Sequence, residues 1–263
     1  MKCLAVLTAV LLAVVSWGHS ASRAQSGETA GQSPGEVIPV SFVEPDTLVR
    51  EMASLLSSTE TFTLHIEKTF DEVQSDGAKI QYAGAADIAI RRPDRFYVDY
   101  GDEFSSKEFW YDGDTFTLYD RRHNVYASVA APPNIDGVLD QLASDYDVRL
   151  PLAGLFYADA FGRYAANVRT RRYLGLHDVD GVPSHHLLLR GDHVDWQLWI
   201  EDGERPLPRK IVVTYKNLEG APQHSIVLTD WDLGAEVEDG LFDADVPDGA
   251  VRIEFMKIRQ QNQ

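Results

Sequence analysis

Alternation of apolar and polar residues between Ile88 and Asp120 constrains this chain more than any other feature of its sequence. The segment begins IAIRRPDRFYVDY, continues through a short acidic break, and ends FWYDGDTFTLYD. A period of two is typical of strands with one buried face, so the segment predicts three or four antiparallel strands. One face of this predicted sheet carries Ile88, Ile90, Phe96, Val98, Tyr100, Phe109, Tyr111, Phe116 and Leu118.

The same alternation recurs on both sides of this segment and predicts about eleven long antiparallel strands in all. Small residues at 84–86 indicate a bulge or sharp curvature in one strand, as a closing sheet requires. A helical stripe begins after Asp46, a predicted N-cap, and ends near Ser58. The sequence thus predicts a mainly β fold with about three helices, of which the first is an amphipathic lid or plug helix.

The first residues have the three-part layout of a secretory signal. Lys2 precedes an apolar run from Cys3 to Trp17, which is too short to cross a bilayer, and small residues fit cleavage after Ala24. Cys3 is the only cysteine of the chain. We therefore expect a periplasmic, soluble mature protein without lipid attachment or disulfides.

Composition then divides the chain into segments. Residues 1–24 are the predicted signal peptide, and residues 25–44, rich in Ser, Gly, Gln and Pro, a flexible leader. Residues 45–258 are predicted to form one domain, with an apolar lid excursion over the sheet at about 132–167. Residues 259–263 are left as a tail.

The charge of the chain limits its partners. There are 41 acidic and 24 basic residues, which gives a net charge of −17. Such a surface argues against nucleic acid and against docking on anionic lipid headgroups, and it favours a basic envelope protein as a partner. We expect no stable membrane insertion. Plain colloidal stability explains the same charge. We expect a monomer.

Chemical motifs do not point to an enzyme. The densest cluster of potential metal ligands is His185, His186, Asp192, His193 and Asp195. Neighbours in a strand point to opposite faces, so His185 and His186 could not share one ion, and we predict no metal site. The sequence has no nucleophile elbow or phosphate loop, and we predict no cofactor. A hydrolase that uses the histidine and aspartate cluster is the least favoured alternative.

Several short motifs carry a resemblance to a known family. They are RPDRF at 92–96, YDG at 111–113, LYD at 118–120, LF at 241–242 and VPDGA at 246–250. With the amphipathic helix before them, they resemble the periplasmic lipoprotein carriers LolA and LolB. More narrowly, the chain is similar to an uncharacterised bacterial periplasmic family grouped beside those carriers. The resemblance implies an incomplete antiparallel β-barrel closed by lid or plug helices, that is, a half-barrel with an apolar cavity for acyl chains.

The resemblance also implies a role for Arg92. In LolA-type carriers, the arginine before the strand-ending proline hydrogen-bonds the lid and holds the empty cavity shut. The alternation of the strand independently places Arg92 on the apolar face, because it has the same even-numbered spacing as Ile88 and Ile90. On that face a guanidinium must find carbonyls or a carboxylate. The alternative is a rim arginine paired with Asp94 or Asp99. The lid itself is predicted to include Leu150, Leu152, Gly154, Leu155 and Phe156.

We therefore predict a soluble periplasmic carrier or chaperone for a lipid or for the acyl chains of a lipoprotein. A periplasmic sensor or adaptor that binds a protein partner with the same fold is the alternative. At each apolar position a packed core is the competing explanation. The predicted cavity-lining residues are Phe62, Leu64, Ile66, Ile88, Ile90, Phe96, Val98, Phe109, Tyr111, Phe116, Leu118, Trp196, Leu198 and Ile200.

Overall fold

The structure, a computed structural model, describes residues 43–257 except 147, 149, 151 and 166. The predictions for the signal peptide, for the tail and for nearly all of the leader therefore lie outside the described residues. The rest of the chain belongs to one compact unit. Its described helices are α1 (Pro45–Ser58), α2 (Ile135–Tyr146), α3 (Ala153–Phe156), α4 (Ala160–Ala165) and a 3-10 helix at Asp239–Phe242.

Strands dominate the described residues, as the alternation predicts. The strands are β1 (Thr61–Val73), β2 (Lys79–Arg91), β3 (Arg95–Asp102), β4 (Ser106–Tyr111), β5 (Thr115–Asp120), β6 (Val125–Ala130), β7 (Val168–Val179), β8 (Val182–Gly191), β9 (Val194–Glu201), β10 (Pro208–Tyr215), β11 (Gln223–Asp232) and β12 (Val251–Arg252).

All of these strands belong to one open sheet in the order β12-β6-β5-β4-β3-β2-β1-β11-β10-β9-β8-β7. Every pairing is antiparallel except that of β12 with β6, which is parallel. β7 and β12 form the two edges and do not pair with each other, so the sheet stays open. The predicted incomplete barrel is confirmed. The expected final strand at 251–255 is only two residues long, because the chain leaves the sheet after Arg252.

The predicted N-cap of α1 and the bulge predicted at 84–86 were wrong, whereas the sharp curvature given as the alternative to the bulge stays a prediction. α1 begins at Pro45 with Glu44 as its N-cap, whereas Asp46 lies in the first turn and pairs with Arg171 at 2.5 Å. The hairpin of β1 and β2 keeps an unbroken register, so residues 84–86 form no bulge within it. Gly84 is small because a Cβ there would lie 2.8 Å from the Cβ of Asp102 on the next strand.

The strand register arranges inward-facing side chains in rows across β1 to β5. The first row lies beneath α2, whose Ile135, Val138, Leu139 and Leu142 are buried in the same cluster. We call this row and α2 the packed end of the concave face. The first row consists of Phe62, Ile90, Phe96, Tyr111 and Phe116.

A second apolar cluster lies under α1. Leu48, Val49, Met52 and Leu56 of this helix pack against strands β7 to β9 and the loop that follows them. The apolar stripe of α1 thereby covers the other half of the sheet. The strand and loop members of the cluster are Val168, Leu187, Leu189, Leu198, Ile200 and Leu207.

Candidate functional site

A cavity of about 1050 Å³ is bounded by all four α-helices and by the sheet. This volume is at the upper limit of the range of about 300–1,000 Å³ found for small-molecule sites. Apolar side chains supply most of its wall. They are Val49, Met52, Phe109, Leu118, Leu139, Val148, Leu150, Leu152, Leu155, Trp196, Leu198, Ile211, Val213 and Ile226.

Four of the fourteen residues predicted to line a cavity lie on this wall. They are Phe109, Leu118, Trp196 and Leu198. The other ten are buried but lie in the two packed clusters instead, because the side chains of α1 and α2 fill the space against them. These ten residues are Phe62, Leu64, Ile66, Ile88, Ile90, Phe96, Val98, Tyr111, Phe116 and Ile200.

The segment predicted as a lid lies against the cavity. Leu150, Leu152, Gly154 and Leu155 are on its wall, whereas Phe156 is 2% exposed and belongs to the packed core. Leu152, which precedes α3, has a φ of 56°. A branched side chain pays about 1–2 kcal/mol in this left-handed region, so the entry to α3 is strained.

Arg92 connects two helix ends. Its Nε donates to the carbonyl of Leu56 at 3.2 Å, and its Nη1 donates to the carbonyl of Phe156 at 2.9 Å. Leu56 lies in the last turn of α1 and Phe156 ends α3, so both carbonyls lack an intrahelical partner. These bonds go to main-chain oxygens and not to Asp94 or Asp99. Burial lowers the pKa of Arg92, and a neighbouring Asp136 acts in the opposite direction.

A cationic group on the same wall is absent from the sequence predictions. Lys68 of β1, Lys107 of β4 and His224 of β11 all border the cavity, together with Tyr100. We call these four residues the cationic end of the concave face. The sequence does indicate this group. In the alternation of their strands, Lys68 falls on the same face as Phe62, Leu64 and Ile66, and Lys107 falls on the same face as Phe109.

The cationic end is partly withdrawn from water. Burial lowers the pKa of Lys68, against an opposing effect of Asp102. Burial, followed by the charge of Lys68, lowers the pKa of His224. Burial and a hydrogen bond to Asp102 raise the pKa of Tyr100. At neutral pH we therefore expect a neutral His224 beside a charged Lys68.

The histidine and aspartate cluster is dispersed in the structure. The ring of His186 stacks on Trp199 with centroids 3.9 Å apart, whereas the Nε2 of His185 lies 3.0 Å from a carboxylate oxygen of Asp202. Asp192 pairs with Arg169. In the described part of the chain, no group of three or more His, Cys, Asp or Glu residues is arranged to hold a metal ion.

Fold and site together define a class of protein: an open antiparallel half-barrel whose helices close an apolar cavity. Within residues 43–257, no helix combines the length and the apolar character needed to span a bilayer. The chain belongs to the family described as predicted periplasmic protein (DUF2092), whose sequence profile matches residues 46–256. The predicted periplasmic family is thereby confirmed. No curated protein matches the chain in sequence.

Solved structures with a similar fold share few identical residues with this chain. An uncharacterized conserved protein from Thermus thermophilus is 8% identical with a TM-score of 0.48, over 79% of this chain and 97% of that one. LprF from Mycobacterium bovis is 13% identical with a TM-score of 0.45, over 78% and 96%. A LolA superfamily protein from Nitrosomonas europaea is 12% identical with a TM-score of 0.37, over 77% and 99%. With TM-scores below 0.5, none of these likenesses bears on what the chain binds.

Proposed function

We propose that this protein is a periplasmic carrier that shields acyl chains of a lipid or lipoprotein inside the half-barrel. The supporting observation is the apolar wall of a cavity of about 1050 Å³. Transfer of an acyl chain from water to such a wall gains about 0.8 kcal/mol per methylene before the cost of association. A long chain therefore binds without any polar contact, which suits a carrier that must release its cargo.

Secretion is part of the same proposal. The family description is periplasmic, and the first 24 residues carry the sequence features of a cleaved signal. A mature chain that begins at Gln25 would keep every residue that lines the cavity. Lipid cargo inside an apolar cavity is protected from the aqueous periplasm, which is the physical task of a carrier.

Arg92 has the role of a latch in this proposal. Its hydrogen bonds join the last turn of α1 to the end of α3, next to the cavity. A charge-assisted hydrogen bond contributes about 1.5–3 kcal/mol, so the two bonds favour a closed lid when no ligand is present. Entry of an acyl chain must displace the lid, and closure by Arg92 then helps to expel the chain at the point of delivery.

A cavity-filling variant tests the carrier proposal. Ala143 of α2 borders the cavity, whereas the next residue, Ser144, is exposed on the same helix. We expect Ala143→Trp to weaken binding of a fluorescent fatty-acid analogue at least about 10-fold, because the indole occupies the space of the acyl chain. Ser144→Trp adds the same side chain outside the cavity and should bind like the wild type. Equal affinities in all three proteins would refute the proposed site.

Release kinetics test the latch. Arg92→Leu removes both carbonyl contacts, and we expect the loaded variant to release the analogue several-fold more slowly to acceptor vesicles. Arg91→Leu is the matched control, since Arg91 pairs with Asp239 and the carbonyl of Val237 and not with the carbonyls of Leu56 and Phe156. Loading and release that are unchanged in Arg92→Leu would exclude the latch, while the cavity proposal would stand.

A further inference from the structure

Successive rows of the concave face change from apolar to charged. The row next to the packed end, formed by strands β1 to β5, is apolar throughout: Leu64, Ile88, Val98, Phe109 and Leu118. The row after it is Ile66, Ala86, Tyr100, Lys107 and Asp120. Lys68 follows in the next row, opposite Gly84 and Ile226. The cavity therefore runs from an apolar region to one that contains two lysines.

The position of Lys68 is fixed by its neighbours. Its Nζ donates to the hydroxyl of Tyr100 at 3.1 Å and lies 4.5 Å from the centroid of the Phe70 ring. Tyr100 in turn donates to Asp102, which also accepts hydrogen bonds from the backbone amides of Phe104 and Ser105. The ammonium is thus held between two aromatic rings at the cavity wall. One hydroxyl acceptor leaves two of its three donors for a further acceptor.

Lys107 lies directly across from Tyr100 in the register of β3 and β4. Side chains at such positions are about 5 Å apart at Cβ, so Lys68 and Lys107 flank the same tyrosine. The backbone of Lys107 belongs to the sheet, and its side chain has no hydrogen-bond or ion-pair partner among the described residues. Asp120, its neighbour on β5, is occupied by His123 and by the backbone amide of Arg122.

Lysines without a carboxylate at ion-pair distance are unexpected in a chain with 41 acidic and 24 basic residues. The third cation on the cavity wall shows the contrast. Arg163 of α4 forms a double hydrogen bond with Asp140 at 2.8 and 3.0 Å and is thereby neutralised. Lys68 and Lys107 receive no such partner from the described residues. Two positive charges at one end of an apolar cavity fit a ligand that is apolar along its length and anionic at one end.

We propose that Lys68 and Lys107 bind the anionic head, a carboxylate or a phosphate, of an acyl-chain ligand whose tail lies along the apolar wall. This inference rests on the proposed carrier function and adds the chemical class of the cargo. His224 borders the same end and offers an additional donor to the head, whereas the hydroxyl protons of Tyr100 and Ser105 are donated to Asp102. Binding of an anion also restores the charge balance that burial disturbs, since Lys68 is partly desolvated without it.

Calorimetric titration with three ligands of equal chain length tests this inference. Dodecanoate and dodecyl phosphate carry an anionic head, and dodecanol is their neutral counterpart. We expect each anion to bind wild-type mature protein roughly 10-fold or more tightly than dodecanol, as charge-assisted hydrogen bonds imply. Whichever anion binds more tightly identifies the head as carboxylate or phosphate. Inorganic phosphate alone should bind far more weakly than dodecyl phosphate.

Variants that remove one positive charge show which side chains cause the preference for anionic ligands. Lys68→Met and Lys107→Met should each lose most of the preference for the anions, so that the affinities for the two anions approach the affinity for dodecanol. Lys210→Met is the matched control, because Lys210 lies on the opposite face of the sheet, over the ring of Trp199. The control should bind all three ligands like the wild type.

The outcomes separate the two proposals. Equal binding of dodecanol and both anions, unaffected by either lysine variant, would overturn the head-group inference and leave the carrier proposal intact. Absence of binding by all three ligands would overturn the carrier proposal itself. Inorganic phosphate that binds as tightly as dodecyl phosphate would show a site for free anions and would also overturn the inference.

Discussion

The packed end and the cationic end belong to the same concave face and to the same strands, yet they differ in what covers them. At the packed end, α2 fills the space above Phe96, Tyr111 and Phe116, all of which are at most 1% exposed. At the cationic end, Lys68 and Tyr100 border the cavity. The sheet supplies a continuous surface, and the position of one helix divides it into a core and a site.

Inward orientation of a side chain and its contact with the cavity are therefore separate properties. Phe109 and Phe116 lie on adjacent strands, face the same way, and have ring centroids 6.3 Å apart. Phe109 is on the cavity wall, whereas Phe116 is enclosed by α2 and by Phe255. Stability should therefore depend mainly on the packed end and binding mainly on the remainder of the face.

Alanine substitutions at these two phenylalanines should give the largest difference in stability and binding. We expect Phe116→Ala to lower the free energy of unfolding by about 3–5 kcal/mol, because it leaves a cavity in a packed cluster. Phe109→Ala should cost less, since one side of this ring already borders empty space, but it should weaken acyl-probe binding. Urea denaturation and probe titration of both variants measure the contrast. Equal losses of stability would mean that the two ends are packed alike.

Alanine substitutions at two helical glycines should give the next largest effects on stability, and the two effects should have opposite signs. A Cβ at Gly137 of α2 would lie 2.7 Å from the Cβ of Pro132, whereas a Cβ at Gly154 of α3 meets nothing within 4 Å. We expect Gly137→Ala to destabilise by about 1–3 kcal/mol through overpacking. Gly154→Ala should stabilise by about 0.4–1 kcal/mol, because it restricts the unfolded chain. Thermal unfolding of the pair checks the signs, and a destabilised Gly154→Ala would show that α3 is packed as tightly as α2.

A smaller, pH-dependent effect should come from His224 at the cationic end. Burial and Lys68 hold its pKa below the usual 6.5, with Asp71 opposing them. Between the folded pKa and 6.5 the unfolded chain binds more protons, so stability should fall as the pH drops through this window. The effect is modest because the side chain keeps some solvent exposure.

His224→Asn isolates this contribution. The variant should lose less stability than wild type when the pH is lowered from about 7.5 to about 5.5, in urea denaturation at each pH. His186→Asn is the control for position. Burial lowers the pKa of His186 too, but its ring stacks on Trp199, on the face of the sheet opposite the cavity. A pH dependence that is identical in wild type and His224→Asn would show that His224 is not desolvated in the folded protein.

Much of this architecture was accessible from the sequence because alternation is a local property. Each run such as Phe62, Leu64 and Ile66 specifies a strand and its buried face without knowledge of its partners. The incomplete barrel followed from the resemblance of short motifs, whereas the strand order was not predicted. Arg92 was found by its parity and by its place before Pro93.

The division of the face into core and cavity was not accessible in the same way. It depends on where α2 packs, and that contact joins residues that are distant along the chain. The sequence shows Lys68 and Lys107 as lysines at apolar positions of predicted strands, but it does not show that their side chains border a cavity. A charged residue on the buried parity of a strand is the signal that would have identified the cationic end.

The most direct test of the central claim is native mass spectrometry of mature protein purified gently from periplasm, before and after organic extraction. If the cavity carries acyl chains, the spectrum should show adducts of lipid mass that extraction removes, with anionic lipids in the extract. Ala143→Trp purified in parallel should show fewer adducts than Ser144→Trp. A bare protein mass before extraction, or a stoichiometric protein partner without lipid, would contradict the carrier function.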